Sequence, residues 1–466
     1  MDKKHFSTFK EILDDKGVLS PSENLDFYEI GARGDAGKAA FVLRPTTTEQ
    51  VSKIISYCAR HDLHLIPQSA NTGLVGGSTP DHSGEHIVLS LERMNRVYDI
   101  DTVNLSAHVG AGVKLWGFND ILISKHELEL PIDLGADPCI GGMIATNTGG
   151  ARFLKYRGMR EYVLGVKAVL ADEHGTIIDV LCPLHKNNTG LDVKQLFIGS
   201  GGVLGVITEA IVRLTPIPKQ SATALLIPQS LERIHSILTY IEAQCGSYLS
   251  AFEGMSGQAM QRALAHSPAL TSPFGADGIP DYAILLELSR SWNPREGEQS
   301  LDEVLEAVLA QIWEQDDTPL ENAFIGAPDK LWALRHMLSE GVQKSGKLFA
   351  FDLSFKRGDV MRFCADMKKA LSQEYPDITL CDFGHIGDGA VHFNLVAPAD
   401  TDVNESELRA WVIEHVIKAG GSYSAEHGLG RKNQAFYDIY TPDEVKALTR
   451  AIKDAIAPAP IGTIKV

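Results

Sequence analysis

Apolar positions along this chain recur with two periods, and the switches between them outline its elements. The charged N-terminal stretch MDKKHFSTFKEILDDKG reads as a helix, with irregular chain to about residue 37. AAFVLRP is then a short apolar strand stopped by Pro45. Thr46, Thr47 and Thr48 precede Glu49 in a helix-start pattern, and Val51, Ile54, Ile55 and Cys58 follow at helical spacing, so one face of this helix is buried. LHLIPQ and HIVLSLE are strands on either side of a glycine-rich run. VNLSAHVGAGV is a strand leading into a helix around LWGFNDILI, and VKAVLAD-EHG-TIIDV reads as a hairpin. After TPIPKQ, at 215–220, the segments lengthen into YAILLELSR, LDEVLEAVLAQIWEQ and VMRFCADMKKALSQEY, and ALTRAIKDAIAP closes the chain as a helix.

A chain of 466 residues exceeds one ordinary core. The predicted organisation is a helical segment at 1–37, a first domain at 38–216, a second at 217–420 and a C-terminal segment at 421–466. The second domain reads as α+β, an antiparallel sheet covered by helices.

Composition narrows the function. With 44% hydrophobic and 22% charged residues the chain is a globular protein. A formal charge of -17 and the lack of any Lys/Arg-rich run exclude a nucleic-acid binder. No stretch approaches the roughly 18 apolar residues of a membrane span, and the charged N-terminus has no signal-peptide core, so a cytoplasmic protein is expected. The six cysteines are scattered without a CxxC pair, which indicates neither a disulfide framework nor a zinc-cysteine site.

Four glycine-rich or polar segments stand out in the first domain: 67–78 (PQSANTGLVGGS), 131–137, 141–150 (GGMIATNTGG) and 199–208 (GSGGVLGVIT). Read as non-helical loops, they let backbone amides approach a diphosphate without a basic side chain. No helix follows the first of them directly, unlike a Rossmann or Walker loop. Any one alone is also a simple tight turn; four in one domain point to a dinucleotide.

The second constellation is HIGDGAVHFN, with His385, Asp388 and His392, followed by SAEHGLG, with Glu426 and His427. Two imidazoles and a carboxylate are an ordinary three-ligand set for a catalytic divalent metal. Either motif alone also describes satisfied core histidines; together, flanked by glycines, they favour a site.

PQSANTGLVGGS, GGMIATNTGG and VKQLFIGSGGVLGVIT resemble, in order and spacing, the FAD-binding domain of the vanillyl-alcohol oxidase and p-cresol methylhydroxylase flavoproteins. From about residue 38 to the end the chain is similar to their D-lactate, D-2-hydroxyglutarate and glycolate dehydrogenase branch. The resemblance implies an α+β fold: a two-part FAD-binding domain, a cap domain on an antiparallel sheet, and a C-terminal segment that completes both sites. It places FAD on Asn71, Thr72, Gly73, Gly76, Gly77, Ser78, Gly142, Thr146, Asn147, Gly150, Gly205 and Ile207. Positions 68–78 lack the histidine of covalently flavinylated members, so the FAD is expected to be non-covalent. The resemblance makes His385, His392 and Glu426 ligands of a divalent metal, zinc first, with Mn, Fe or Co as alternatives. It makes His427 the base that takes the hydroxyl proton.

The same resemblance gives Arg335 the substrate carboxylate, where the alternative is a surface helix salt bridge; Ser339 and Lys356 are weaker candidates. The chain departs from the family at three points. Gly201 stands where relatives carry Glu, IGTIKV where they read an NPGK-like segment, and Ala350 where those acting on D-2-hydroxyglutarate carry Lys. The implied activity is oxidation of a small D-2-hydroxy acid, with electrons passed to a quinone, cytochrome or electron-transfer flavoprotein, in a possible homodimer. The alternatives are an oxygen-using oxidase and a non-catalytic flavin-binding subunit of a glycolate-oxidase-like complex.

Overall fold

The apolar run AAFVL forms a strand, Ala39–Leu43, buried along its whole length. In the computed structural model, which describes residues 3–466, this strand lies between Val18–Leu19, antiparallel, and His86–Ser90, parallel, with Leu65–Gln68 parallel on the far side. The helix Thr48–Arg60 makes the connection from Ala39–Leu43 to Leu65–Gln68. Thr47 caps it by accepting from the Gln50 N–H, and Val51, Ile54, Ile55 and Cys58 are buried as their spacing requires. Between Leu65–Gln68 and His86–Ser90, residues 69–85 hold no helix or strand.

A five-stranded antiparallel sheet follows, in the order Val97–Asp101, Ser106–Gly110, Gly205–Arg213, Val163–Leu170, Ile177–Asp179. Its last two strands are the predicted hairpin. These two sheets belong to one compact unit, made of the chain up to Gly149, Gly158–Pro216 and Glu426–Val466.

One expectation fails within this unit. GGMIATNTGG is not an open loop: Ile140–Thr146 is a helix with Ile140, Gly141, Met143 and Ile144 buried, and it ends on Asn147 in the left-handed region at φ 51°. A Cβ at Gly141 would lie 2.5 Å from the Ala111 Cβ. That glycine therefore serves close packing of a helix, which composition alone does not distinguish from loop freedom.

The other unit comprises Gly150–Arg157 and Ile217–Ala425. Its sheet is antiparallel throughout, in the order Leu320–Gly326, Gln220–Pro228, Tyr282–Arg290, Leu249–Ser256, Phe383–Gly384, Ala390–Ala397, Lys347–Ser354, with Thr379–Leu380 also paired to Ala390–Ala397. The helices Gly257–His266 and Pro328–Lys344 contribute to one core with Leu225, Ala251, Met255, Leu285 and Phe383 of the sheet. The register pairs Met255 with Phe383, Phe383 with His392, and His392 with Asp352. Directly paired residues share a sheet face, so His392 and Asp352 lie on the face that carries this core.

Gly150–Arg157 is held in this unit by a buried carboxylate. Glu287 accepts from Arg152 Nε at 2.7 Å and Nη2 at 2.9 Å, from Ser250 Oγ at 2.6 Å and from Trp332 Nε1 at 2.7 Å. The Arg152 guanidinium also lies over the Trp332 ring. Burial alone pushes the Glu287 carboxyl up; the bonds and charge of Arg152 outweigh it and hold the group below its usual range. No cysteines are paired among the described residues. No described helix is long and apolar enough to cross a membrane.

Candidate active site

The GDG of HIGDGAVHFN builds a turn that folds one histidine back on the other. Asp388 N–H and Ala390 N–H both donate to the His385 carbonyl, at 3.0 and 3.1 Å, and Asp388 Oδ1 accepts from Ala390 N–H. Gly389 is at φ 93°, and a Cβ there would lie 2.3 Å from the Phe355 carbonyl oxygen, so only glycine closes this turn. The His385 and His392 rings consequently meet edge to face, 5.2 Å apart.

Behind His385 stands a residue that the motif does not contain. Glu253, from the buried strand Leu249–Ser256, accepts from His385 Nδ1 through Oε1 at 2.8 Å. Its Oε2 accepts from Arg335 Nε at 2.8 Å and lies 2.7 Å from Nη2. Burial alone would raise the Glu253 carboxyl, and the contacts with His385 and Arg335 reverse that and hold it low. Arg335 is thus neither on the surface nor unpaired: it is 7% exposed, on the inner face of Pro328–Lys344 and over the Phe383 ring.

His392 Nδ1 lies 3.9 Å from Asp352 Oδ1. Asp352 also takes hold of the incoming C-terminal chain, since Ala425 N–H donates to its Oδ2 at 3.0 Å and its carbonyl at 3.1 Å. Glu426 and His427 are the next two residues, partly exposed, with His427 Nε2 3.9 Å from Glu426 Oε1. The chain then runs along the first glycine loop. Lys432 N–H donates to the Val75 carbonyl at 3.2 Å, Arg431 Nη2 to Thr79 Oγ1 at 2.5 Å, and Lys432 Nζ pairs with Asp35 at 3.2 Å.

The predicted cofactor residues play different parts in the structure. Asn71 is a builder of the loop: at φ 54° its Nδ2 donates to the Phe27 and Ile30 carbonyls, and its Oδ1 accepts from Ser78 Oγ. Thr72, Gly73, Gly76 and Gly77 lie on that loop, and a Cβ at Gly142 would come within 3.3 Å of Ser69 Oγ, so the loop and the helix Ile140–Thr146 adjoin. Thr146 is exposed, and Asn147 Oδ1 accepts from Arg160 N–H. Gly205 and Ile207 are strand residues with core duties. A Cβ at Gly205 would lie 2.1 Å from the Val169 carbonyl oxygen, and Ile207 is 6% exposed. Gly150 is buried in the other unit.

Two departures from the family pattern meet each other. Gly201 is at φ 63°, and a Cβ there would lie 2.4 Å from Ile464 Cδ1 of IGTIKV. Ser339 is exposed on its helix and Lys356 is exposed beyond its strand. Ala350, two residues before Asp352 and so on the same sheet face, pairs with Asn394.

Sequence reasoning missed Glu253 and Asp352. The one available signal was a single carboxylate within each apolar run, LSAFEGMS and KLFAFDLS.

Comparison with known proteins gives the family. Residues 39–180 match the FAD binding domain family, and residues 217–461 match the FAD linked oxidases, C-terminal domain. The chain is 34% identical to the mitochondrial D-2-hydroxyglutarate dehydrogenase of Danio rerio over 98% of its own length and 83% of the relative's. It is 32% identical to that of Arabidopsis thaliana, over 98% and 80%. It is 30% identical to the D-2-hydroxyglutarate–pyruvate transhydrogenase of Saccharomyces cerevisiae, over 92% and 87%. In fold it is similar to an alkyldihydroxyacetonephosphate synthase at a TM-score of 0.76 and 15% identity, covering 100% of this chain and 85% of that one. It is also similar to p-cresol methylhydroxylase, at 0.74 and 17%, covering 98% and 96%.

The chain belongs to the FAD-linked oxidases, with an FAD binding domain at residues 39–180 and their C-terminal domain at 217–461. Within that class it is an FAD-dependent D-2-hydroxy acid dehydrogenase, an oxidoreductase acting on CH–OH with a hydroxy acid substrate and an electron acceptor.

Proposed function

We propose that the chain oxidises a small D-2-hydroxy acid to the 2-oxo acid with His385, His392 and Glu426 as ligands of a divalent metal and His427 as the base. The observation that carries this reading is the Glu253 contact, which keeps the proton of a neutral His385 on Nδ1 and turns Nε2 into a donor atom. The second imidazole is brought beside it by the Gly389 turn, and Asp352 holds the chain immediately before Glu426. The set has the nitrogen and oxygen donors that suit zinc, with Mn, Fe or Co as alternatives. Such an ion would polarise the substrate hydroxyl and lower its pKa. FAD, held without a covalent link because residues 68–78 offer no histidine, would accept the C2 hydride at N5.

His427 takes the hydroxyl proton as the carbonyl forms. Arg335 pairs with Glu253 through its Nε side, so the Nη1–Nη2 edge is the one that grips the substrate carboxylate. Ala350, with no cationic side chain, favours an acid without a distal carboxylate, such as D-lactate, over D-2-hydroxyglutarate. The electrons leave to a quinone, cytochrome or electron-transfer flavoprotein.

His427→Ala tests the assignment. The variant should retain FAD and metal while flavin reduction by substrate slows about 100- to 10,000-fold, the usual share of a positioned base. Wild-type rates in this variant would remove His427 from the mechanism.

A further inference from the structure

We infer that Glu253 is the positioning residue of the site, a single carboxylate that fixes both the tautomer of His385 and the orientation of Arg335. The inference rests on the metal-assisted reading above and adds a residue that neither motif contains.

The contacts divide cleanly between the two oxygens. Oε1 faces His385 Nδ1 at 2.8 Å, and Oε2 faces Arg335 Nε and Nη2 at 2.8 and 2.7 Å. The three residues come from different elements: Glu253 from the strand Leu249–Ser256, Arg335 from the helix Pro328–Lys344, and His385 from the turn after Phe383–Gly384. Every residue of the Glu253 strand is buried, so the carboxylate stands on the least mobile part of the sheet.

Stability does not account for a charge at this place. Ala251 and Met255, two residues to either side on the same face, are apolar and belong to the core. A buried ion pair is often no more stable than well-packed apolar residues of the same volume. A leucine here with an apolar partner would serve the fold. Glu253 adds orientation instead. An imidazole whose Nδ1–H is bonded to a carboxylate presents Nε2 as the ligand atom, in a fixed plane and with raised basicity. An arginine held on one edge presents the other edge in a fixed plane too.

Glu253→Gln gives a sharp test because its amide has two unlike ends. The carbonyl end must face the Arg335 guanidinium, which only donates, and the NH2 end must then face His385 Nδ1. That contact reverses the imidazole, placing the proton on Nε2 and masking the ligand atom. In purified enzyme with FAD bound, the variant should bind Zn about 10- to 100-fold more weakly in chelator competition. Its KM for substrate should rise more than its kcat falls. The ring 15N signals of His385 in metal-free protein should also exchange, from protonated Nδ1 in the wild type to protonated Nε2 in the variant.

Equal Zn affinity in wild type and variant overturns the role of Glu253 and leaves the proposed reaction standing. Wild-type protein that takes up no metal overturns the metal-assisted reading itself. Should Glu253→Gln fail to retain FAD, the wild-type spectrum alone decides: a His385 protonated on Nε2 contradicts the inference.

Discussion

At Gly201 a missing side chain is matched by one supplied from far along the sequence. The backbone there is left-handed, at φ 63°, and the room a Cβ would need is taken by Ile464 Cδ1, 2.4 Å away. Restoring the family's glutamate should therefore damage the protein. Gly201→Glu combines a left-handed penalty with overpacking, about 1 to 3 kcal/mol, and should lower both the unfolding temperature and the FAD content. The double variant with Ile464→Ala should recover the packing part; a Gly201→Glu protein as stable as wild type would show that the C-terminal segment moves aside freely.

Asp382 offers a second residue-scale test. It is 5% exposed, and burial pushes its carboxyl from 3.8 up to about 6. A raised folded-state value means that the native protein binds the extra proton between those two pH values. Stability is lost as pH climbs through that window, and the full cost, about 3 kcal/mol, is present above pH 6. Asp382→Asn should therefore unfold at a higher temperature than wild type at pH 7.5, with the gap closing at pH 4. A wild type that is the more stable of the two at pH 7.5 would contradict this.

At the scale of elements, Gly150–Arg157 is the least expected segment. It directly follows the helix and turn of GGMIATNTGG, yet it packs with the strands Leu249–Ser256 and Tyr282–Arg290 and the helix Pro328–Lys344. Arg152 and Glu287 hold it there, 135 residues apart in sequence. Arg152→Ala leaves Glu287 buried without its cation and should cost about 3 to 5 kcal/mol in denaturant unfolding. Adding Glu287→Gln should return much of that loss, since the charge no longer needs a partner. Additive losses would mean that the two side chains act independently.

Local periodicity made several elements legible in the sequence. The helix Thr48–Arg60, the hairpin Val163–Leu170 with Ile177–Asp179, and the strand Tyr282–Arg290 fall where apolar spacing puts them. The helix Ile140–Thr146 was hidden because its glycines imitate a loop while serving close packing against Ala111.

For the whole molecule, the motif pair HxGDGxxH and AEHG was enough to bring the proposed ligand residues to notice, because chemistry of that kind clusters in short glycine-flanked stretches. The strand order was not legible. Nothing local tells that Phe383–Gly384 lies between Leu249–Ser256 and Ala390–Ala397, a neighbour set on which the meeting of Glu253 with His385 depends. Arg335 shows the same limit from the other side. Its helix was readable, but its burial against a carboxylate 82 residues earlier was not.

Flavin reduction by substrate is the most direct measure of the proposed reaction. Purified protein, held anaerobically, should bleach near 450 nm (roughly the flavin band) with a D-2-hydroxy acid and not with its L-enantiomer, D-lactate ahead of D-2-hydroxyglutarate. Prior removal of metal with EDTA should abolish the bleaching, and added zinc should restore it. Bleaching that is indifferent to chelator would contradict the metal-assisted base, and no bleaching with any D-2-hydroxy acid would contradict the proposed reaction.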